Sequence, residues 1–364
     1  MLVEAALETP TTQVARPQMV ASRLLRIVCG CVCAALLLAP LLTLHGAAST
    51  SCGIDGVERI VAVGDVHGAY DRFVEILKTA GLIDSRQRWS GGRVHLVQLG
   101  DVLDRGPDSR KVLDLLRRLE REAASAGGAV HALLGNHEVM RMLGDFRYVH
   151  PGEYQAFVTD HSEEMRKRFL EVVKPADPEE FLTATPLGQT EMILAFGAKG
   201  EYGRWLRTHD AAARINGILF LHGGISPGVA STSCDDINAT VRRELTTDFD
   251  QTQKAPLATL AAREDGPSSY RGLAQEPDEF ETQVDDILAK QGVRAIVIGH
   301  TVSATSRIRP RFGGKVFQLD TGMQPAYARG GRASALEIRG NAFTAIYQDR
   351  RDPLTVVSAQ PVNK

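Results

Sequence analysis

Gly64-Asp65-Val66-His67-Gly68 is a polar loop that directly follows the apolar run Ile60-Val61-Ala62-Val63. A short β-branched run bounded by glycine is typical of a buried β-strand. Four later apolar runs also end in a loop with Asp, Asn or His beside glycine, namely Gly100-Asp101-Val102-Leu103-Asp104-Arg105-Gly106, Gly135-Asn136-His137-Glu138, His222-Gly223-Gly224 and Gly299-His300-Thr301. Ligands and metals collect at the strand ends of α/β sheets. The chain is therefore predicted to assemble a metal centre from five separated loops.

Length and composition indicate an ordinary globular protein. The chain has 364 residues, of which 43% are hydrophobic and 24% charged, enough for one large domain or two smaller ones. The formal net charge is −2. A nucleic-acid-binding surface needs clustered Lys and Arg, so nucleic acid is not an expected partner.

The first 48 residues differ from the rest of the chain. Arg16, Arg23 and Arg26 precede an almost uncharged stretch, residues 27–44, which leads into Gly46-Ala47-Ala48. A basic flank, an apolar run and small residues are typical of a secretory signal. Residues 1–48 are predicted to be a signal peptide, and the mature protein to be periplasmic or extracellular. The run of about 18 residues is also near the lower limit for a membrane-spanning helix. A retained segment would therefore be a signal anchor, holding the protein at the inner membrane through residues 27–44.

Two cysteines follow this segment, Cys52 and Cys234, since the other three lie within the apolar run. In the oxidising environment of an exported protein such a pair can form one disulfide. A pair of free buried thiols is equally compatible with the sequence.

Helical spacing follows the first two loops. Apolar residues recur at positions 70, 73, 74 and 77 and again at 112, 115, 116 and 119, which predicts β-α units with helices packed on a sheet. The charged stretch between the third and fourth loops, about 139–215, is predicted to be a helical insertion, either a cap over the site or a surface excursion. Residues 326–364 are predicted to be a C-terminal extension that contains the end of the sheet and a polar tail.

The residue types of the five loops favour metal-assisted hydrolysis. Asp and His two positions apart can bind the same ion, and a second Asp from a neighbouring strand can bridge two ions. A mixed nitrogen and oxygen ligand set suits Mn, Fe, Zn or Ni rather than Ca. Two ions about 3.5–4 Å apart hydrolyse phosphate esters by polarising the ester and activating a shared water. The expected nucleophile is therefore a metal-bridging hydroxide.

The loops resemble the signature of the calcineurin-like metallophosphoesterases. Asp104-Arg105-Gly106 and Asn136-His137-Glu138 resemble the phosphoprotein phosphatase branch, and Asp320-Thr321-Gly322 with the two histidine loops is most similar to its bacterial, Shewanella-like group. The resemblance covers residues 57–325, the predicted catalytic domain. It implies an α/β fold with a central β-sandwich flanked by helices, and two divalent ions, most often manganese.

The resemblance also implies a role for individual residues. The first metal would be held by Asp65, His67 and Asp101, and the second by Asp101, Asn136, His222 and His300. His137 would be the general acid and Asp104 would orient its imidazole. The phosphoryl oxygens would be held by Arg105, Arg271 and Asn136, since the planar guanidinium suits this task. The alternatives to phosphate binding are a loop salt bridge for Arg105 and an ordinary surface position for Arg271. Asp320 either positions a ligand or ends a strand.

The implied function is hydrolysis of phosphomonoesters, in phosphorylated proteins or peptides (Ser/Thr or Tyr) or in small molecules. The alternative within the superfamily is a diadenosine-polyphosphate or nucleotide hydrolase. A catalytically dead binding protein would have lost a ligand or the acid, yet Asp65, His67, Asp101, Asn136, His137, His222 and His300 are all present. An enzyme is therefore predicted. A membrane is an expected partner only if the N-terminal segment is retained.

Overall fold

The computed structural model describes residues 52–355, and within this range two six-stranded β-sheets lie face to face. The predicted signal peptide or anchor lies outside the described residues. The strands of the first sheet are, in spatial order, β12 (Arg351–Leu354), β11 (Ala342–Tyr347), β10 (Ser334–Arg339), β2 (Ile60–Val63), β3 (His95–Gln98) and β4 (Ala129–Ala132). Those of the second are β1 (Gly53–Ile54), β5 (Ala212–Ile215), β6 (Ile218–Leu221), β7 (Ala295–Ile298), β9 (Val316–Gln318) and β8 (Arg309–Arg311).

The five strands that precede the polar loops run parallel to one another within each sheet. β2, β3 and β4 form one parallel set, and β6 and β7 form the other. Parallel strands present their carboxyl ends at the same edge, so the loops that follow them are brought together. We call these five segments the strand-end loops.

Alternating residues of each strand face two different cores. Ile60 and Ala62 of β2 lie in the core between the sheets, whereas Val61 and Val63 lie in the core beneath the helices. This is the period of two that a strand buried on both faces requires. Between the sheets the rings of Phe317 and Phe343 stack at 4.3 Å. The predicted sandwich flanked by helices is confirmed.

Twelve α-helices are present in residues 52–355, and none of them is long and apolar enough to cross a membrane. They are α1 (Tyr70–Thr79), α2 (Ser109–Ser125), α3 (Asn136–Leu143), α4 (Pro151–Gln155), α5 (Ser162–Val173), α6 (Pro178–Ala184), α7 (Gln189–Phe196), α8 (Glu201–Leu206), α9 (Cys234–Glu244), α10 (Phe249–Lys254), α11 (Gly272–Gln275) and α12 (Glu281–Gln291). The helical spacing predicted after the first two loops corresponds to α1 and α2, whose apolar positions pack toward the sheet.

The stretch between the third and fourth loops is helical in the structure. We call residues 144–211, which contain α4 to α8, the helical insertion. Its base is an aromatic cluster of Phe157, Phe196 and Tyr202, each at most 6% exposed. By contrast, α5 and α6 form a hairpin in which Phe169 and Phe181 contact each other at 5.5 Å and stay half-buried. The insertion therefore has a packed base and a loosely packed outer hairpin.

The C-terminal extension is part of the first sheet. β10 pairs antiparallel with β2, with Leu336 opposite Ala62, so it lies inside the sheet rather than at its edge. β11 and β12 follow, and β12 forms the edge. β2, which precedes the first strand-end loop, is therefore flanked on one side by a strand of the C-terminal extension.

Cys52 and Cys234 form a disulfide, with their Cα atoms 5.8 Å apart. The backbone amide of Cys52 also donates to Oδ1 of Asp235, at 2.6 Å. Both contacts attach the start of β1 to the N-terminus of α9. Of the two alternatives that the sequence leaves open for these cysteines, the structure contains the bonded one.

Candidate active site

Asp101 lies at the centre of the converged strand-end loops. Its Oδ2 atom is 3.1 Å from Nε2 of His222, 3.7 Å from Nε2 of His67 and 3.8 Å from Nε2 of His137. Two groups of potential metal-binding atoms, each spanning at most 4.8 Å, share this carboxylate: one contains His67 and His137, the other His222 and His300. Asp101 thus occupies the position expected of a bridging ligand.

The histidine rings are oriented by backbone carbonyl groups. Nδ1 of His67 lies 2.8 Å from the carbonyl oxygen of Leu103, and Nδ1 of His222 lies 2.8 Å from that of Leu99. Because a carbonyl only accepts, Nδ1 carries the proton and Nε2 keeps its lone pair for a metal. Burial lowers the pKa of His67 to about 4 and that of His300 to about 2, which keeps both rings neutral.

Asp65 carries a buried oxygen that no hydrogen-bond donor of the described residues reaches. Oδ1 accepts the backbone amide of His300 at 3.0 Å, whereas Oδ2 has no such partner. Burial, followed by the charges of Asp320 and Asp101, raises the pKa of Asp65 well above its usual value. A buried carboxylate oxygen without a donor is unfavourable, and a bound cation relieves this. The donor set therefore fits divalent metal ions.

Asp320 and Asn136 complete this donor set. Asp320 lies against Asp65 and accepts the amide of Gly322 at 2.9 Å, so it is placed next to a predicted ligand. Oδ1 of Asn136 lies 3.2 Å from Nε2 of His222. The structure therefore brings together all six of the predicted ligands, Asp65, His67, Asp101, Asn136, His222 and His300.

Glu138 fixes two strand-end loops to each other, a role that its position in the motif does not reveal. Its buried carboxylate accepts the backbone amides of Asp101, Val102, Leu103 and Gly135 at 2.8–3.2 Å. A Cβ atom on Gly135 would collide with Oδ1 of Asp101, so only glycine fits there. Four donors on one carboxylate set the distance between the loops that carry Asp101 and Asn136.

Five site residues adopt positive φ angles, which residues other than glycine rarely adopt. These are His67 (48°), Asp101 (54°), Asp104 (68°), Arg105 (67°) and His300 (65°). Such backbone is unfavourable by roughly 1–3 kcal/mol per residue and persists where the surroundings enforce it. The loops are therefore held in a geometry that aims side chains inward.

His137 and Asp104 form a hydrogen-bonded pair. Nδ1 of His137 is 2.5 Å from Oδ2 of Asp104. Burial opposes protonation of His137, but the charges of Asp101 and Asp104 outweigh it and raise the pKa of the imidazole. A protonated imidazole whose Nε2 faces the metal ligands can donate a proton to a leaving group.

The two predicted phosphate-binding arginines form no ion pair with a carboxylate of the described residues. The Arg105 guanidinium lies between two rings, 3.9 Å from the centre of Tyr148 and 4.6 Å from that of Tyr327. Arg271 is exposed and donates to the carbonyl oxygen of His300 at 2.8 Å and to Oγ1 of Thr301 at 3.1 Å. Both cations are thus placed beside the predicted metal ligands and form no ion pair with a carboxylate of the described residues.

Four residues of this site did not follow from the sequence, namely Tyr148, Tyr327, Arg141 and Glu153. Tyr148 and Glu153 belong to the helical insertion, and Tyr327 lies beyond the predicted catalytic domain. Arg141 carried one signal, since it stands four positions after His137 on the same face of α3. The others come from segments whose local pattern contains no catalytic motif.

The chain matches the calcineurin-like phosphoesterase family over residues 58–304 and therefore belongs to it. It is similar to the Shewanella-like protein phosphatase 2 of Arabidopsis thaliana, with 32% identity over 79% of this chain and 77% of the relative. A crystal structure of the cold-active protein-tyrosine phosphatase of a psychrophilic Shewanella species aligns with 84% of this chain and 82% of its own, at 30% identity and a TM-score of 0.66.

Over a shorter stretch the chain is similar to a symmetrical bis(5'-nucleosyl)-tetraphosphatase of Delftia acidovorans, with 36% identity over 22% of this chain and 24% of the relative. The chain is thus a phosphoesterase, as predicted. Calcineurin-like phosphoesterases use a dinuclear metal site, and the two groups of ligands around Asp101 can hold metal ions.

Proposed function

We propose that the protein is a phosphomonoesterase that removes phosphate from proteins or peptides, with phosphotyrosine as the preferred residue. One observation supports the proposed hydrolysis: Asp101 belongs to both groups of side chains that could hold a metal ion. A relative of known structure that aligns with 84% of the chain, at 30% identity, is a protein-tyrosine phosphatase, which supports the substrate class.

The proposed ligands are Asp65, His67 and Asp101 for one ion and Asp101, Asn136, His222 and His300 for the other. Bound divalent ions, manganese in this proposal, would polarise the phosphate ester and lower the pKa of a water molecule. Arg105, Arg271 and the amide of Asn136 hold the phosphoryl oxygens. His137 gives its Nε2 proton to the departing oxygen, while Asp104 fixes the ring through Nδ1.

The two tyrosines around Arg105 favour an aromatic ester. Tyr327 is 43% exposed, and its ring lies 5.3 Å from that of His67. Tyr148 lies 5.3 Å from the ring of His137 on the other side of the guanidinium. Offset or edge-to-face contacts between rings are favourable, so a phosphorylated phenol bound at Arg105 gains contacts that phosphoserine lacks.

The proposal is tested with the chain beginning at Ser49, assayed with and without manganese. The substrates are para-nitrophenyl phosphate, matched phosphotyrosine and phosphoserine peptides, and diadenosine tetraphosphate. We expect metal-dependent turnover, fastest on the phosphotyrosine peptide. His137→Asn is expected to reduce kcat by about 10²–10⁴-fold with bound metal retained. Asp101→Asn is expected to lose both activity and metal.

The exposed His161 provides the matched control, and His161→Asn is expected to leave turnover unchanged. Fast cleavage of the dinucleotide with slow cleavage of both peptides would replace the proposal by the nucleotide-hydrolase alternative. Absence of bound metal in the wild-type protein would contradict the hydrolytic mechanism itself.

We further propose that the protein acts outside the cytoplasm. The basic and apolar pattern of residues 1–48 supports export, and the Cys52–Cys234 disulfide is favoured in an oxidising compartment. N-terminal sequencing of the protein recovered from cell fractions tests this. A start near Ser49 in the soluble exported fraction is expected; an intact N-terminus in the membrane fraction would indicate the anchor instead.

A further inference from the structure

We infer that Arg141 is a positioning residue which, together with Glu153, holds Asp104 behind His137, so that the helical insertion helps to orient the proton donor. The inference rests on the proposed function, because it assigns His137 the role of general acid. It concerns residues that neither bind metal nor contact substrate.

The Asp104 carboxylate is held from both sides. Its Oδ2 atom accepts the Nδ1 proton of His137, and its Oδ1 atom accepts from Nη2 of Arg141. The same Nη2 lies 3.1 Å from Oε2 of Glu153 on α4. The side chains of Arg141, Asp104 and Glu153 are 0%, 1% and 2% exposed. Asp104 therefore has one fixed contact per oxygen, and a chain of hydrogen bonds runs from α4 to the imidazole.

Arg141 is itself held in place by the base of the insertion. Its Nη1 atom lies 3.2 Å from Sδ of Met192, and its guanidinium lies 4.9 Å from the centre of the Phe196 ring, both on α7. A planar guanidinium clamped by α3, α4 and α7 leaves Asp104 little freedom to rotate. General acid catalysis requires the donor to be aligned with the departing oxygen, so a loosened Asp104 would weaken proton donation before it weakened binding.

A purely structural role for Arg141 makes a different prediction. If the ion pair only anchors the insertion, its removal lowers all activities by the same factor. If it orients His137, the loss depends on how much the leaving group needs a proton. Phenyl phosphate has a poor leaving group that must be protonated, whereas a dinitrophenyl phosphate releases a stable anion.

The experiment measures kcat/KM for both esters with the manganese-loaded full mature chain. Replacing Arg141 alone would leave two unpaired buried carboxylates, so the double variant R141M/E153Q is used. We expect kcat/KM for phenyl phosphate to fall about 10- to 100-fold, which reaches at most the lower end of the roughly 10²–10⁴-fold effect of removing a general acid. The value for the dinitrophenyl ester is expected to fall less than about threefold, with metal content unchanged. Arg168→Met, at an exposed arginine of α5, is the matched control and is expected to leave both values unchanged.

The ratio of the two activities is measured within one preparation, so a partly unfolded sample does not distort it. Should the double variant fail to fold, Glu153→Gln decides the question through the same ratio, which we expect to change by about threefold or more. An equal fall for both esters, in whichever variant folds, overturns the inference while leaving the proposed function intact. Wild-type protein that binds metal and hydrolyses neither ester would overturn both.

Discussion

The strand-end loops place their side chains through backbone that two sheets hold, whereas the helical insertion reaches the site through side chains on short helices. The loops carry five positive φ angles, and Glu138 ties two of them through four backbone amides. The insertion contributes Tyr148 and Glu153 from one end, while Phe169 and Phe181 of its outer hairpin, α5 and α6, stay half-buried. The proposed metal ligands need fixed positions, and the sheets provide them. The insertion contributes Glu153, which we infer helps to orient His137, and one of the two tyrosines that flank Arg105.

The largest effect is expected where the loops are tied together. Glu138→Gln replaces two acceptor oxygens by one oxygen and an NH₂ group that faces backbone donors. Because this breaks a buried network, we expect a loss of about 3–5 kcal/mol in the free energy of unfolding. Bound metal and turnover should fall with it. Urea unfolding and elemental analysis measure the two quantities.

The matched control lies in the insertion. Glu163 is 60% exposed in its ion pair with Arg166, so Glu163→Gln is expected to change stability by less than about 1 kcal/mol. Equal losses of unfolding free energy in Glu138→Gln and Glu163→Gln would mean that the contacts of Glu138 stabilise the protein no more than an exposed ion pair does.

This difference also explains how much could be predicted from the sequence. Asp65, His67, Asp101, Asn136, His222 and His300 each follow a strand whose period and composition are visible in the chain, and parallel pairing brings such ends together. The β-α units followed from the same runs, whereas the central β-sandwich was implied by the resemblance to the calcineurin-like metallophosphoesterases. Local pattern and one general rule of sheet geometry predicted that the loops meet at a metal centre, and the resemblance implied which side chains would hold each ion.

The remaining residues depend on packing that no local pattern encodes. Glu153 is one acidic residue among many in a charged stretch, and only the fold shows that it meets Arg141. Tyr327 lies in the segment between the last motif and β10. Because β10 pairs with β2, this segment lies next to the site and places Tyr327 beside Arg105. The central place of β10 was likewise hidden, since an antiparallel strand without a catalytic loop carries no mark of its position.

A smaller effect is expected at the tyrosine that the insertion contributes. Tyr148→Leu removes the ring 3.9 Å from Arg105 but leaves the metal ligands in place. A cation–π contact of about 1 kcal/mol predicts a rise in KM for a phosphotyrosine peptide of about fivefold, with kcat nearly unchanged. Tyr327→Leu, 4.6 Å from the same guanidinium, gives the comparison from outside the insertion. A fall in kcat without a change in KM would assign Tyr148 to the chemical step instead.

Acid sensitivity of folding is expected at two neighbouring histidines of the first sheet, His95 on β3 and His131 on β4. Nδ1 of His95 lies 3.0 Å from Nε2 of His131, and burial, then the neighbouring His95, lowers the pKa of His131 to about 4. Glu120 of α2 opposes this shift. Folding lowers the pKa of His131 from 6.5, so protonation below pH 6.5 favours the unfolded chain. The contribution of neutral His131 to stability is therefore complete above pH 6.5 and is lost as the pH falls toward about 4.

His131→Asn tests this contribution through urea unfolding between pH 8 and pH 4. The wild type is expected to be more stable than the variant by about 1 kcal/mol at pH 8, because the variant loses a hydrogen bond between the two rings. The difference should shrink as the pH falls below about 6.5. A difference that does not vary with pH would show that the protonation of His131 is not coupled to folding.

The smallest effect is expected in the outer hairpin of the insertion. Phe169 contacts Phe181 at 5.5 Å but is half-buried, so Phe169→Ala should lower the free energy of unfolding by about 1 kcal/mol or less and leave kcat/KM for para-nitrophenyl phosphate unchanged. Phe157→Ala, the same substitution at a 6% exposed position in the base of the insertion, should lower it by about 3 kcal/mol. If Phe169→Ala instead lowers turnover of a phosphopeptide but not of the small ester, the hairpin takes part in binding the peptide. That result would contradict the view that only the base of the insertion contributes to the site.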